Sequence, residues 1–161
     1  YTREEIADIL TRSAKILNIA VDAESVNEIA GRSRATPRTA NYLLKRARDF
    51  AEVSNTSLDT KTVKKALALL EIDEYGIGTS ERIILECLVN VFNGGPVGLS
   101  TLAIAVGEEV ETVESVAEPF LVRNGFMART PRGRVATAAG FAHVGRTPPP
   151  GLATLFDTPT T

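Results

Sequence analysis

Hydrophobic residues recur every three or four positions through the first 70 residues, which is the spacing that places them on one face of an α-helix. Four such stretches occur, and each begins at a residue whose side chain can accept hydrogen bonds from free backbone N–H groups. The candidate caps are Thr2, Asp22, Thr36 and either Asp59 or Thr60. The first stretch, residues 2–18, also has Glu5 three positions after Thr2, which forms a capping box. The pattern predicts a small four-helix bundle over residues 1–74.

The helical pattern breaks at residues 73–78, which contain two glycines, and then resumes. Thr79 or Ser80 can cap the next helix, and Ser100 can cap a short one after it. A longer helix is predicted over residues 110–124. Its predicted apolar side consists of Val113, Val116, Ala117, Phe120 and Leu121.

Two short extended pieces follow and flank the sequence Thr130-Pro131-Arg132-Gly133, which is typical of a β-turn. Three helices closed by a β-hairpin are the element order of a winged-helix domain. We therefore predict a mainly α protein, with the helical bundle followed by a winged helix over residues 75–146.

The residues from 147 to 161 are rich in proline and threonine and are predicted to be disordered. Leu152, Leu155 and Phe156 could instead form a short docking motif, although composition favours a solvated tail.

Composition excludes several classes of site. With 18 Lys+Arg against 20 Asp+Glu the net charge is -2, so a nucleic-acid site must be a local patch. Cys87 is the sole cysteine and His143 the sole histidine, which argues against a disulfide and a metal cluster. No run of about 20 apolar residues is present, so we expect a cytoplasmic protein. The 161 residues contain no phosphate-binding Gly-x-x-x-x-Gly-Lys-Ser/Thr loop, and the absence of an initiator methionine suggests a piece of a longer protein.

The third helix of the winged unit has the wrong charge for the usual role of such a helix in the DNA major groove. Five glutamates lie on or beside it: Glu108, Glu109, Glu111, Glu114 and Glu118. Phosphates would be repelled by that surface, so we expect this helix not to bind DNA.

The hairpin has the opposite charge. Arg123, Arg129, Arg132 and Arg134 lie within a stretch that contains no acidic residue. If the turn closes between residues 130 and 133, Arg129 and Arg134 are directly opposed on one face, and a DNA phosphate between them would relieve their repulsion. We predict that Arg129, Arg132 and Arg134 contact the DNA backbone, while a solvated turn remains the alternative.

A second candidate is Arg38, one residue after Pro37 in the first turn of the third helix. A cation there opposes the helix dipole, so stability does not explain it, whereas a bound phosphate would. The alternative is a surface arginine paired with a carboxylate.

Four strings in the chain closely resemble the RuvB family, in the same order. They are Arg32-Ser33-Arg34-Ala35-Thr36-Pro37-Arg38, Arg46-Ala47-Arg48-Asp49-Phe50-Ala51, Gly94-Gly95-Pro96-Val97-Gly98-Leu99 and Arg129-Thr130-Pro131-Arg132-Gly133-Arg134-Val135-Ala136-Thr137. The resemblance covers roughly residues 1–146. It implies an AAA+ lid followed by a winged-helix head of a hexameric ATPase that drives Holliday-junction branch migration in DNA recombination and repair.

The resemblance also implies roles for individual residues. Arg38 matches the sensor-2 arginine that reaches the terminal phosphates of ATP, and Tyr1 matches a tyrosine that lies against the nucleotide. Arg129 and Arg134 match wing arginines that contact double-stranded DNA. ATP or ADP with Mg²⁺, and the partner RuvA, would be bound by a large domain outside this sequence. The chain alone is expected to hold no cofactor or metal, to be inactive as an ATPase and helicase, and to be monomeric.

Two positions depart from the family pattern. Ala35 stands where glycine is usual, which we expect to be a mild change because alanine tolerates most backbone angles except positive φ. Val110 stands where the family usually has an arginine that touches DNA, so that contact is in doubt.

Two other classes remain open: a free-standing winged-helix regulator and a replication initiator that joins an AAA+ lid to a winged helix. Both would normally present a basic recognition helix, and the helix here is acidic.

Overall fold

The computed structural model describes residues 1–150 and divides into two compact units, one spanning Tyr1–Thr79 and one that begins at Ser80. Most of the predicted tail, with its candidate docking residues Leu152, Leu155 and Phe156, lies outside the described residues. Among the helices in the described part of the chain, none has the length and apolar character needed to cross a membrane.

The first unit is the predicted four-helix bundle. Its helices are α1 (Arg3–Ile16), α2 (Ala23–Gly31), α3 (Pro37–Val53) and α4 (Thr60–Leu69). Helix α1 packs against α2 and α3, and α4 packs against the same two helices. The largest fully buried side chains of these four helices are Ile6, Leu10, Ile29, Leu43, Leu44 and Leu67.

The predicted caps of these helices are confirmed. Thr2 and Glu5 exchange both hydrogen bonds of the capping box, at 2.7 and 3.1 Å. Asp59, rather than Thr60, caps α4, because its carboxylate accepts from the backbone N–H of Thr62 at 2.8 Å. This hydrogen bond lowers the pKa of Asp59, since it favours the charged form of the carboxyl group.

The glycine-containing break at residues 73–78 is an ordered part of the first unit. Asp73 accepts hydrogen bonds from the backbone N–H groups of Tyr75 and Ile77, both at 2.9 Å. Two arginines of the α2–α3 loop bind the same segment: Arg32 donates to the carbonyl of Ile72 at 3.2 Å, and Arg34 donates to that of Gly76 at 3.0 Å. The end of the first unit is therefore tied to the loop that precedes α3.

The second unit begins with α5 (Thr79–Asn90) and α6 (Leu99–Val106). It continues through α7 (Val110–Thr112), a π-helical turn (Val113–Ala117) and α8 (Glu118–Arg123). The hairpin strands are β1 (Met127–Thr130) and β2 (Gly133–Ala136), and α9 (Ala138–Val144) follows.

One sequence prediction for this unit is wrong in detail, and one helix was not predicted. Ser100 lies inside α6, whose N-cap is Gly98 and has no side-chain cap. Helix α9 was not predicted, although Thr137 caps it by accepting from the backbone N–H of Gly140 at 3.1 Å. Its Phe141 is fully buried, so α9 completes the core of the unit.

The predicted helix over residues 110–124 contains a turn that the periodicity did not show. The backbone N–H of Glu118 donates to the carbonyl of Val113, five residues back. The physical reason is Pro119, which has no N–H and whose ring would clash with the carbonyl of Ser115 in a regular α-helix. The extra residue shifts the helix face by about 100°. As a result Val116, predicted to be buried, is 60% exposed, whereas Glu118 is fully buried.

Candidate functional site

The hairpin has the predicted register. Arg129 pairs with Arg134, and Thr130 pairs with Gly133. The hydroxyl of Thr130 donates to the carbonyl of Gly133 at 2.8 Å and closes the turn. The two arginines therefore lie directly opposite each other on neighbouring strands, as the sequence predicted.

The base of this wing is fixed from its other edge by the segment that follows α5. The backbone of Arg134 exchanges two hydrogen bonds with Val97, at 2.7 and 3.0 Å. Gly133 has φ of 131°, and a Cβ there would lie 2.5 Å from the carbonyl oxygen of Val97. Only glycine fits this position, so the wing arginines project from a rigid base.

The two opposed arginines share one carboxylate, that of Glu118 in α8. Arg134 donates to Glu118 through Nε at 3.0 Å and through Nη2 at 3.2 Å, and Arg129 donates through Nε. Glu118 thus supplies the negative charge that the sequence analysis assigned to a DNA phosphate. Glu118 was predicted to be one of the exposed glutamates, and this prediction is wrong because the π-helical turn before it changes which side chains are buried.

The two arginines differ in how much of the guanidinium group remains available. The side chain of Arg129 is 51% exposed, whereas that of Arg134 is 20% exposed. Arg132, at the tip of the turn, and Arg123, at the end of α8, are exposed and form no ion pair within residues 1–150. One carboxylate against four guanidinium groups leaves the wing and its surroundings positively charged.

The rest of the acidic surface agrees with the sequence analysis. Glu108, Glu109, Glu111 and Glu114 are exposed, so four of the five glutamates face solvent. Val110, where the family pattern has an arginine, is 39% exposed. The winged unit therefore has an acidic helical surface and a basic hairpin.

The second candidate group belongs to the first unit. Arg38 is exposed in the first turn of α3 and has no hydrogen bond or ion pair with any part of the chain that the structure describes. The alternative of a surface ion pair is thus not observed. Tyr1 is 73% exposed. Both side chains are accessible to a ligand.

The loop that leads to Arg38 is strained. Arg34 and Ala35 have φ of 57° and 54°, in the left-handed region that non-glycine residues avoid. The replacement of the family's usual glycine by Ala35 is therefore not a mild change, because this position requires the conformation that alanine disfavours.

The lone cysteine and histidine have structural positions. Cys87 is half-buried, and burial raises the pKa of its thiol. The ring of His143 lies 4.7 Å from that of Phe126. No group of three or more potential metal ligands occurs among the residues described by the structure.

Comparison with known proteins connects both units to one family. Residues 1–73 match a family model described as the RuvB AAA lid domain, and residues 74–145 match the RuvB C-terminal winged helix domain. The chain is 55% identical over 162 residues to the Holliday junction branch migration complex subunit RuvB of Thermobifida fusca, covering 98% of this chain. It is 56% identical over 156 residues to the same subunit of Mycobacterium avium, covering 96% of this chain.

A solved structure, the Thermotoga maritima RuvB Holliday junction branch migration motor, superposes with a TM-score of 0.88 at 39% identity. That match covers 92% of this chain and 50% of the other. The chain likewise spans only 46% of the Thermobifida relative and 44% of the Mycobacterium relative, so it corresponds to about half the length of the proteins it matches.

Proposed function

Since the chain belongs to the RuvB family, we propose that it is the lid and DNA-binding portion of an ATP-driven motor that migrates Holliday junctions during recombination and repair. Residues 1–74 form the lid in this proposal, and residues 75–146 form the DNA-binding head. The proposal extends to a large domain that binds ATP with Mg²⁺ and contacts RuvA, and to a hexameric ring.

The observation that carries the DNA-binding role is the rigid basic wing. Its exposed guanidinium groups, on Arg129 and Arg132, can bind phosphate oxygens in pairs, with a geometry that a lysine cannot reproduce. The neighbouring helix, which would read base edges in many related folds, is acidic and repels the duplex. Backbone contact without sequence readout is what a motor needs if it is to move along any DNA.

The nucleotide role rests on Arg38 and its surroundings. An exposed arginine in the first turn of a helix, with no ion pair among residues 1–150, suits an anionic ligand, because the helix dipole also favours negative charge there. In this proposal Arg38 and Tyr1 contact the nucleotide held by the large domain. Hydrolysis of the bound ATP would supply the free energy of movement.

The contacts of the α2–α3 loop offer a route from Arg38 to the end of the lid. The loop immediately precedes α3, and its Arg32 and Arg34 are bound to the carbonyls of Ile72 and Gly76. A change in position at the start of α3 would therefore act on the segment that leads into the head. In a ring, successive heads would then shift the duplex through their wings.

Competition between DNA sequences tests this function against the regulator and initiator alternatives. We expect the 161-residue chain to bind duplexes of random sequence equally well, with a log–log salt slope of about -2 for the two phosphate contacts of Arg129 and Arg132. Preference for one sequence by about a hundredfold or more, with a shallow salt slope, would favour a regulator instead.

A further inference from the structure

Glu118 is fully buried, yet its carboxylate is bound to the two arginines that face each other across the wing. We propose that Glu118 is a shared counter-ion that lowers the affinity of the wing for DNA. It leaves the pair Arg129 and Arg134 with one net positive charge, and it makes the availability of each arginine depend on the other. This inference rests on the proposed DNA-binding function and specifies how the same surface is regulated.

The two arginines donate unequal numbers of hydrogen bonds to Glu118. Arg134 uses two of its three guanidinium nitrogens on Glu118, and its backbone is held between β1 and Val97. Arg129 uses only Nε on Glu118, and its two terminal nitrogens have no hydrogen bond within the described residues. Arg129 is therefore the phosphate-contacting member, and Arg134 is a positioning residue that balances the buried carboxylate.

The charge of Glu118 cannot be left unbalanced, because an ionised carboxylate away from water requires a cation beside it. With both arginines present, the carboxylate accepts two hydrogen bonds from Arg134 and one from Arg129, so the pair keeps one positive charge beyond the carboxylate. If Arg134 were lost, Arg129 alone would balance Glu118, and this part of the wing would have no net charge left to neutralise a phosphate.

A moderate affinity for DNA suits a protein that must release the duplex at every step. Each phosphate that is neutralised by a cation adds about 0.9 to the steepness of the salt dependence. Arg129, Arg134 and Glu118 together have one net positive charge, so they can neutralise one phosphate, whereas the two arginines alone could neutralise two. Glu118 thus keeps the DNA affinity of the wing below the value that the two arginines alone would give.

The first test is Glu118→Gln in the 161-residue chain, with binding to a random duplex measured across a range of salt concentrations. Removing the carboxylate charge should steepen the log–log slope by about 0.9 and tighten binding by roughly an order of magnitude at about 0.1 M salt. The matched control is Glu114→Gln, which removes an exposed carboxylate of the same helical segment and should change the slope by less than about 0.3. Weaker binding by Glu118→Gln, or equal effects of the two variants, would overturn the proposal.

A rescue experiment uses a second, charge-balanced variant, in which Glu118→Gln no longer leaves two arginines facing each other without a carboxylate. Arg134→Gln should flatten the slope by about 0.9, because Glu118 then engages Arg129. The double variant Arg134→Gln with Glu118→Gln should recover the original slope, since it removes one charge of each sign. A double variant that remains as flat as Arg134→Gln would show that Glu118 is not a shared counter-ion.

The same data separate failure of this inference from failure of the proposed function. Arg132→Gln should flatten the slope whether or not Glu118 acts as proposed. Suppose that Arg132→Gln flattens the slope, but Glu118→Gln does not steepen it and the double variant does not recover it. The wing then still binds DNA, and the counter-ion proposal is wrong. If neither Arg132→Gln nor Arg129→Gln alters the slope, DNA binds elsewhere and both proposals fail.

Discussion

Several residues in or beside the proposed sites are held at a local cost in stability. Glu118 is a buried charge, and Arg38 is a cation at the positive end of a helix dipole. Ala35 occupies a left-handed conformation with φ of 54°. Such features persist where surrounding structure enforces them, and they concentrate at functional sites.

The strain at Ala35 gives a direct stability prediction. Ala35→Gly should stabilise the first unit by about 1 kcal/mol, because glycine adopts positive φ without the steric cost that alanine bears. The measurement is amide hydrogen exchange in α3, which follows the first unit specifically.

The matched control is the same substitution at an exposed position inside a helix, Ala68→Gly in α4, where φ is helical. It should destabilise the first unit by about 0.5–1 kcal/mol. Destabilisation by both variants would mean that residue 35 is not strained in solution.

At the scale of elements, the sequence predicted most of the fold because caps and periodicity are local signals. Thr2, Asp22, Thr36 and Asp59 all cap helices as expected. The π-helical turn was missed because periodicity assumes 3.6 residues per turn, although Pro119 was a visible warning.

The wing arginines and their register were also predictable, since the turn sequence fixes which strand positions face each other. Their partner Glu118 was not, because burial of a charge depends on tertiary packing that local patterns do not contain. Helix α9 was missed although Thr137 is a good cap, because no element was predicted between the end of the hairpin and residue 146.

The rigidity of the wing depends on the close approach of Gly133 to Val97. Gly133→Ala should lower the stability of the second unit by more than about 1 kcal/mol, because the new Cβ would collide with a backbone oxygen and the backbone angle disfavours alanine. The measurement is amide hydrogen exchange in β2, which reports the stability of the hairpin.

Gly98→Ala provides the comparison, since Gly98 has negative φ and nothing lies within 4 Å of a Cβ built there. It should cost no more than about 0.5 kcal/mol, because alanine is a poorer N-cap for α6 than glycine but meets no steric clash. If the two alanine variants were equally stable, the hairpin would not be fixed against residue 97.

The cap of α4 gives the first unit a pH dependence. The pKa of Asp59 is lowered in the folded state from its ordinary value of 3.8, so its contribution is present above that value and is lost as the pH falls through the folded pKa. Asp59→Asn keeps an acceptor at the cap but cannot titrate. Exchange protection in α4 of the unsubstituted chain should therefore decline relative to Asp59→Asn between about pH 5 and about pH 3. Parallel curves for the two proteins would rule out this linkage.

At the scale of the whole molecule, the proposed motor has a nucleotide-responsive arginine in the lid and a separate DNA-binding wing in the head. Arg38→Ala, placed in a chain that includes the proposed large domain, should impair ATP-driven branch migration by at least about tenfold while DNA binding stays nearly unchanged. Arg12→Ala, which removes another exposed arginine of the lid, is the control. Normal migration by Arg38→Ala would refute the nucleotide role.

The most direct test of the central claim is to map the DNA-binding surface of the 161-residue chain by NMR, titrating the ¹⁵N-labelled protein with a short random duplex. We expect the largest chemical-shift changes at the Nε of Arg129 and at the backbone amides of residues 129–134 other than Pro131. The exposed glutamates from 108 to 114 should change little. Shifts concentrated on that acidic helix, with an unperturbed hairpin, would contradict this claim.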